Sequence, residues 1–268
     1  MERSAIGQGE WLFWKTGLGS LLVNPEPYNV NNKFAPSVER IPRKIFYYFD
    51  QDPVPDDIML RTINVQKEQN VLDVELYNKK TAKDFLSKVY GEHVSRLFDT
   101  LRHPAEEADF FRLHIVYHHG GYYCDCDELL DPHALIYYSS ITNSKAIFPV
   151  GRYAGGVISN AVFGSIKNHP LLGKMIQLLH KNCEEHPDMD IAFKTGPGMI
   201  NKAVFEFFLD RTMSNPVEHG NFSALNKDIA VTICPYLLRR VSTGWEPEYR
   251  QTWRNWSLGT WKTQQSSK

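Results

Sequence analysis

Two aspartates, Asp125 and Asp127, stand one residue apart in the stretch YYCDCDELL, and they are the first candidates for chemistry. Alternate side chains of an extended chain share a face, so both carboxylates point the same way while Cys126 points oppositely. Carboxylate oxygens are hard ligands that suit Mg²⁺ or Mn²⁺, and these ions keep positions open for substrate phosphates. The spacing therefore indicates a metal site that meets a diphosphate. On spacing alone, an acidic turn is the favoured alternative.

A second pair of charged residues, Asp109 and Arg112, lies three positions apart within a mostly apolar segment. On a helix this spacing puts both side chains on one face. An apolar helix seldom buries an acid and a guanidinium unless they pair or meet a ligand, so both interpretations stay open. His114 and His118 have the spacing of a zinc pair, but no third ligand accompanies them and zinc is not favoured.

The elements that must position these residues follow from hydrophobic periodicity. The run IPRKIFYYFD, beginning near Ile41, predicts a first buried strand, and VLDVELYN predicts a second. Apolar residues recur at steps of three and four from Thr81 to Leu101, which predicts one helix that continues through Gly91. Strands that alternate with helices indicate a mostly parallel sheet covered by helices.

The position of the two aspartates follows from the next elements. Residues 105–118 have a helical pattern, the Gly120-Gly121 pair ends the helix, and YYC begins a strand. Asp125 and Asp127 then stand at the carboxyl end of that strand, where ligands collect in parallel sheets.

Composition excludes some classes of protein. The chain has 268 residues, with 30 basic and 31 acidic side chains, so bulk electrostatic binding to nucleic acid is not expected. Its four cysteines form no CxxC pair, which favours a reducing, cytoplasmic location. The apolar run at residues 11–23 is shorter than the roughly 20 residues of a membrane-spanning helix. Packing against the domain is the favoured interpretation of this run, and peripheral membrane contact is the alternative.

The stretch from Ala108 to Glu128, ADFFRLHIVYHHGGYYCDCDE, resembles the signature of glycosyltransferase family 32. This family of Asp-x-Asp sugar transferases includes initiation-type mannosyltransferases, capsular polysaccharide enzymes and relatives of the clostridial glucosylating toxins. IPRKIFYYF resembles the family's opening strand, although Phe46 stands where histidine is common. SNAVFGSIKNHPLL and TGPGMI resemble later family segments. The resemblance runs from about Ile41 onward and leaves residues 1–40 as an extension.

The resemblance implies a Rossmann-like GT-A fold, with one domain over residues 41–268 and a mostly parallel sheet flanked by helices. It also implies a nucleotide-sugar donor, an acceptor hydroxyl on a glycan or glycolipid, Mn²⁺ or Mg²⁺, and retention of configuration. Asp125 and Asp127 would then hold the cation, and Asp109 and Arg112 would hydrogen-bond the donor sugar. Because no free carboxylate is an obvious nucleophile, front-side attack by the acceptor is the working mechanism.

Further candidates carry structural alternatives. Tyr47, Tyr48 and Phe49 are candidates to stack the base, although aromatic residues there are as often core. Amides at Gly196, Pro197 and Gly198 are candidates to meet a phosphate or sugar, although such a sequence is more often only a turn. Asn160 is a candidate contact to donor or acceptor.

The tail at residues 249–262 departs from the family pattern, because Asn255 replaces a common histidine. We expect this tail to form a lid with Asn255 or Thr260 near the metal and Trp261 beside the diphosphate. The departure leaves open a non-catalytic binder of carbohydrate or nucleotide. A phosphatase of the haloacid dehalogenase type ranks lower, because Glu128 follows the motif and the motif stands mid-chain.

Overall fold

The computed structural model describes residues 40–54, 56, 59, 63–126, 128, 132–141, 144–149, 158–214 and 231–234. The strands in these residues are β1 Lys44–Tyr48, β2 Asp73–Tyr77, β3 Gly121–Cys124, β4 Ala146–Pro149, β5 Val162–Ser165 and β6 Val231–Cys234. The helices are α1 Asn64–Gln69, α2 Lys79–Tyr90, α3 Glu92–Asp99, α4 Pro104–His119, α5 Pro132–Ile141, α6 Pro170–Glu185, α7 Ile191–Lys194 and α8 Pro197–Ser214.

The six strands form one mixed sheet in the order β2-β1-β3-β5-β4-β6. β1 pairs in parallel with both β2 and β3, and β4 pairs in parallel with β6. β5 runs antiparallel to both β3 and β4. The predicted α/β class with a mostly parallel sheet is therefore confirmed, and the two predicted early strands are β1 and β2.

Helix α4 carries Asp109 and Arg112, and the residues at its two ends explain where it begins and ends. Pro104 occupies the first turn, where its missing N–H costs nothing, and Glu106 and Glu107 lie near the positive end of the helix dipole. Gly120 follows the helix at φ 67°, and a Cβ on it would lie 2.8 Å from the amide nitrogen of Lys167. This tight turn directs the chain into β3, with α4 packed on β1, β3 and β5.

The predicted single helix from Thr81 to Leu101 is wrong. Gly91 has φ 88° and separates α2 from α3, so the apolar pattern continues across two helices. Asn78 begins α2 through a capping box with Thr81, and Glu92 begins α3. The periodicity correctly identified a buried face but missed the break, because glycine readily takes a positive φ.

The core lies between the sheet and α2, α3, α4, α6 and α8, and it is rich in aromatic rings. Cys124, Cys126 and Cys183 are buried. Among the described residues, no helix combines the length and apolar character needed to cross a membrane. Residues 11–23, and all of the predicted 1–40 extension except residue 40, lie outside the residues that the structure describes.

Candidate active site

Arg112 is the centre of a buried polar cluster at the carboxyl end of β3. Its side chain is 5% exposed, and Nη2 lies 3.1 Å from Asp109 Oδ1 and 2.9 Å from Asp125 Oδ1. Nη1 donates to the Asn160 carbonyl at 2.5 Å, and Nε donates to the Ala108 carbonyl at 3.1 Å. The guanidinium also lies over the Tyr123 ring, 4.7 Å from its centroid. One side chain therefore links α4 to the Asp-x-Asp motif and to the segment before β5.

Asp109 is held from both oxygens. Oδ1 accepts from Asn160 Nδ2 at 2.7 Å as well as contacting Arg112, and Oδ2 accepts from the Thr195 hydroxyl at 2.9 Å. Burial raises the pKa of Asp109, whereas Arg112, Thr195 and Asn160 oppose the rise. All three neighbours donate to Asp109, so the cluster is built for the carboxylate form.

Asp125 follows β3 directly, as predicted, and its amide donates to the Ala161 carbonyl at 2.8 Å. Its side chain is 26% exposed, whereas Cys126 is buried with its thiol donating to the Tyr48 carbonyl at 3.3 Å. Asp125 and Cys126 thus differ in exposure, and Asp127 lies outside the described residues. Antiparallel pairing of β3 with β5 brings Asn160, two residues before β5, alongside Asp125 and Arg112.

Two glutamates in the first turn of α4 tie this cluster to neighbouring elements. Glu106 Oε1 lies 2.5 Å from Lys194 Nζ, and both side chains are at least 95% buried. Glu107 accepts from the Tyr48 hydroxyl at 2.6 Å and from Lys79 Nζ at 2.5 Å. Hydrogen bonds of this kind, to ionised groups, are the stronger class. The start of α4 is therefore fixed to α7, β1 and α2.

The three aromatic candidates for base stacking lie in the core. Tyr47 is 0% exposed, Tyr48 4% and Phe49 5%. The Tyr48 ring packs on Phe98 and Phe111. This burial favours the core alternative for all three over base stacking.

One of the candidate amides at the start of α8, that of Gly196, is hydrogen-bonded within the protein. The Gly196 N–H donates to the Ile191 carbonyl at 2.9 Å, and Pro197 has no N–H. A Cβ on Gly198 would lie 2.7 Å from Phe193 Cδ1, so this glycine permits close packing of α8 on α7. The described geometry therefore supports the turn interpretation for this segment.

Thr195, which precedes these glycines, is the residue that sequence reasoning missed. It is 1% exposed, and its hydroxyl contacts a carboxylate 86 positions earlier in the chain. The TGPG sequence marked the segment, but nothing local marked the hydroxyl as the partner of Asp109.

Four predicted site residues, Asp127, Asn255, Thr260 and Trp261, lie outside the described residues. Within the described part of the chain, no three His, Cys, Asp or Glu side chains gather as a metal-binding group. Asp125 fits a hard divalent cation, because it offers carboxylate oxygens at a partly solvated position. His114 is fully buried, with Nδ1 2.7 Å from the Phe110 carbonyl and Nε2 2.8 Å from His180 Nε2.

Residues 48–143 match the protein family described as the glycosyltransferase sugar-binding region containing DXD motif. Inositol phosphoceramide mannosyltransferase 2 of Schizosaccharomyces pombe is 31% identical over 47% of this chain and 35% of that protein. Mannosyl phosphorylinositol ceramide synthase SUR1 of Saccharomyces cerevisiae is 26% identical over 63% of this chain and 43% of that protein. The chain thus spans less than half the length of these two relatives. The predicted resemblance to Asp-x-Asp sugar transferases is confirmed.

Two solved structures show partial similarity. PaToxG Glycosyltransferase aligns with a TM-score of 0.43 at 14% identity, over 70% of this chain and 83% of that chain. The UDP-bound glycosyltransferase domain from the YGT toxin aligns with a TM-score of 0.35 at 10% identity, over 69% of this chain and 56% of that chain.

Proposed function

We propose that this chain is a metal-dependent glycosyltransferase that moves a hexose from a nucleotide-sugar to an acceptor hydroxyl with retention of configuration. The observation that carries the proposal is the buried contact of Arg112 with Asp109 and Asp125 at the carboxyl end of β3. It lies inside the region that matches the sugar-binding family. A purely structural ion pair would need only Arg112 and Asp109. Here Arg112 also contacts Asp125, the first aspartate of the Asp-x-Asp motif.

Asp125 and Asp127 are the proposed metal ligands, with Mn²⁺ as the first ion to test and Mg²⁺ as the second. Asp125 supplies a carboxylate whose Oδ1 is anchored by Arg112 and whose side chain is partly solvated. A bound cation supplies positive charge to the departing diphosphate. Asn255 or Thr260 as a further ligand, and Trp261 in a lid beside the diphosphate, remain part of the proposal.

Arg112 and Asp109 are proposed as positioning residues for this site. The resemblance implies direct contacts from both to the donor sugar. In the structure, however, Arg112 already contacts four oxygen atoms, and Asp109 already accepts from three donors. Their contacts support a role in which Arg112 fixes the orientation of Asp125 and Asp109 fixes Arg112. A side chain held in one orientation loses little freedom when a ligand binds.

Front-side attack by the acceptor hydroxyl remains the proposed route. A double displacement needs a carboxylate that is free to form a covalent glycosyl intermediate. Asp109 is engaged by Arg112, Asn160 and Thr195, and Asp125 is assigned to the cation. This engagement favours direct transfer, in which the diphosphate accepts the proton from the incoming hydroxyl.

Mannose is the proposed donor sugar, because the names of both relatives refer to a mannosyl group. The proposed acceptor is a hydroxyl on a glycolipid or glycan. Selection among sugars depends on hydrogen bonds to individual hydroxyls, which can reject a wrong substrate strongly.

A panel of GDP- and UDP-sugars, incubated with the full chain and Mn²⁺, tests the proposal through release of nucleoside diphosphate. We expect release from one donor, with GDP-mannose first, and loss of release in EDTA. Nucleotide-sugar binding without release, with or without glycolipid acceptors, would contradict transfer and identify the non-catalytic binder.

A further inference from the structure

We propose that a pocket at the end of the sheet opposite Asp125 binds a phosphate group. The pocket opens beside the starts of β1 and β3, whereas Asp125 follows the end of β3. β3 spans four residues, so the two sites lie roughly 13 Å apart along the strand direction. The inference is independent of the proposed sugar transfer.

The described lining is cationic and hydroxyl-rich. Two isoleucines complete a wall whose polar members are Arg40, Arg43, Tyr122, Ser139, Ser140 and Ser144. The cavity volume is 60 Å³, and one water needs at least about 10–15 Å³ of such space. A tetrahedral oxyanion, with part of its surface at the open mouth, therefore fits.

Charge favours an anion in this cavity. Arg43 makes no ion pair with any described residue, unlike the neighbouring Lys44, which lies 2.7 Å from Glu75 Oε1. None of the described residues that line the pocket is acidic. Arg43 lines the cavity beside Tyr122. Burial raises the pKa of Tyr122, whereas the Ser139 hydrogen bond and the charge of Arg43 oppose the rise.

The carboxyl end of α5 disfavours an anion in the pocket, because Ser139 and Ser140 lie in the last turn of this helix. A helix end carries about half a negative charge, and it is partly capped here by the Ser144 N–H, which donates to the Ser139 carbonyl at 2.9 Å. The full positive charge of Arg43 is larger than this half charge, and the wall also includes Arg40.

Phosphate suits this wall better than a carboxylate does. Guanidinium groups bind two oxygens of a phosphate at once, and serine hydroxyls both donate and accept. A phosphate monoester has a second pKa near 6 and so has both acceptor oxygens and, in part, a P–OH donor at neutral pH. Free phosphate and the headgroup of an anionic lipid both present this chemistry.

Titration calorimetry with inorganic phosphate tests the pocket, using the full chain in EDTA at fixed ionic strength. We expect saturable binding that weakens about tenfold or more in Arg43→Met, since one charge-assisted hydrogen bond is lost. Arg40→Met is the second test variant. Arg96→Met removes an exposed arginine on α3 and is the matched control, with unchanged affinity expected.

Sedimentation with phosphatidylcholine vesicles, with and without phosphatidic acid, separates the two sources. Co-sedimentation that needs phosphatidic acid and is lost in Arg43→Met assigns the site to a headgroup. Binding of free phosphate alone assigns it to a small anion. The proposal is overturned if phosphate does not bind saturably, or if Arg43→Met and Arg40→Met bind phosphate as the wild type does while circular dichroism shows them folded.

Discussion

The guanidinium of Arg112 connects three parts of the chain that are far apart in sequence. It joins Asp109 on its own helix, Asp125 after β3 and the carbonyl of Asn160 before β5. A planar fork makes these contacts in fixed directions, which a single ammonium group cannot do. At the residue scale, the proposed site therefore depends on geometry as well as on charge.

Arg112→Lys keeps the charge and removes the fork, so Asp125 loses its fixed orientation. We expect nucleoside diphosphate release to fall by about 10²-fold, and the Mn²⁺ concentration for half activity to rise. A Mn²⁺ titration of donor turnover measures both. Arg96→Lys is the control on an exposed helix face, and wild-type kinetics in a folded Arg112→Lys protein would rule out the positioning role.

Thr195→Val removes one donor from the buried carboxylate of Asp109 at almost constant volume. We expect a loss of roughly 1–3 kcal/mol in the free energy of unfolding, because a buried acceptor loses its partner. Turnover should fall as well. Thr195→Ser keeps the hydroxyl and should recover most of both quantities, measured by urea unfolding and donor kinetics. Equal behaviour of the Val and Ser variants would show that the hydrogen bond has no importance.

At the scale of elements, α7 is attached to the start of α4 by a buried ion pair. Lys194 Nζ contacts Glu106 Oε1 and also donates to the Pro187 carbonyl at 2.9 Å. Asn182 on α6 donates to the Phe193 and Lys194 carbonyls. These contacts hold α7, and with it Thr195, against the helix that carries Asp109.

Lys194→Met should destabilise the fold by roughly 3–5 kcal/mol, because it leaves Glu106 buried without its cation. The double variant Glu106→Gln with Lys194→Met should recover much of this loss. Lys202→Met removes an exposed pair at 3.9 Å and should change little. Urea unfolding at neutral pH measures all three. If Lys194→Met changed the free energy of unfolding as little as Lys202→Met, the ion pair of Lys194 with Glu106 would not stabilise the packing of α7.

The contact of α4 with α6 includes a pair of histidines that predicts a pH dependence. A carbonyl only accepts, so His114 Nδ1 donates to Phe110, and His114 Nε2 accepts from His180 Nε2–H. Burial, followed by the charge of His180, lowers the pKa of His114 from 6.5 to about 3. Between these two values the unfolded chain binds a proton that the folded chain does not bind.

Stability from His114 is therefore complete above pH 6.5 and is lost as pH falls toward 3, by about 1.4 kcal/mol per pH unit. Glutamine can form hydrogen bonds but does not titrate. The free energy of unfolding of the His114→Gln variant should therefore fall less steeply than that of the wild type as the pH is lowered. Urea unfolding across this range measures the slopes. His133→Gln, at an exposed position on α5, is the control, and parallel curves for wild type and His114→Gln would contradict the assignment.

Local signals made the placement of Asp125 predictable. A helix, a glycine at φ 67° and a short apolar strand follow one another in sequence, so their order alone puts Asp125 at a strand end. The partner of Asp109 was not predictable, because β3, β4, β5 and several helices separate Thr195 from it in the chain. The burial of Tyr48 was not predictable for the same reason, because the local sequence does not distinguish a core aromatic residue from a surface one at a strand end.

At the scale of the whole molecule, the sheet separates two proposed sites. Asp125 lies at the carboxyl ends of the parallel strands, and the arginine-lined pocket lies at their amino ends. The match to the sugar-binding family covers residues 48–143. It therefore includes the last residue of β1 and all of β2, α4 and β3. The proposed transfer therefore depends above all on Asp125 as a ligand of the metal ion.

Asp125→Asn tests that claim most directly, because it removes the charge and keeps the size of the side chain. Its matched control is Asp188→Asn, which breaks an exposed contact of 2.7 Å with Arg102. The measurement is Mn²⁺-dependent release of nucleoside diphosphate from the donor that the wild type uses. We predict that release falls by about 10²-fold or more in Asp125→Asn and does not fall in Asp188→Asn. Near-wild-type, Mn²⁺-dependent release by a folded Asp125→Asn protein would contradict it.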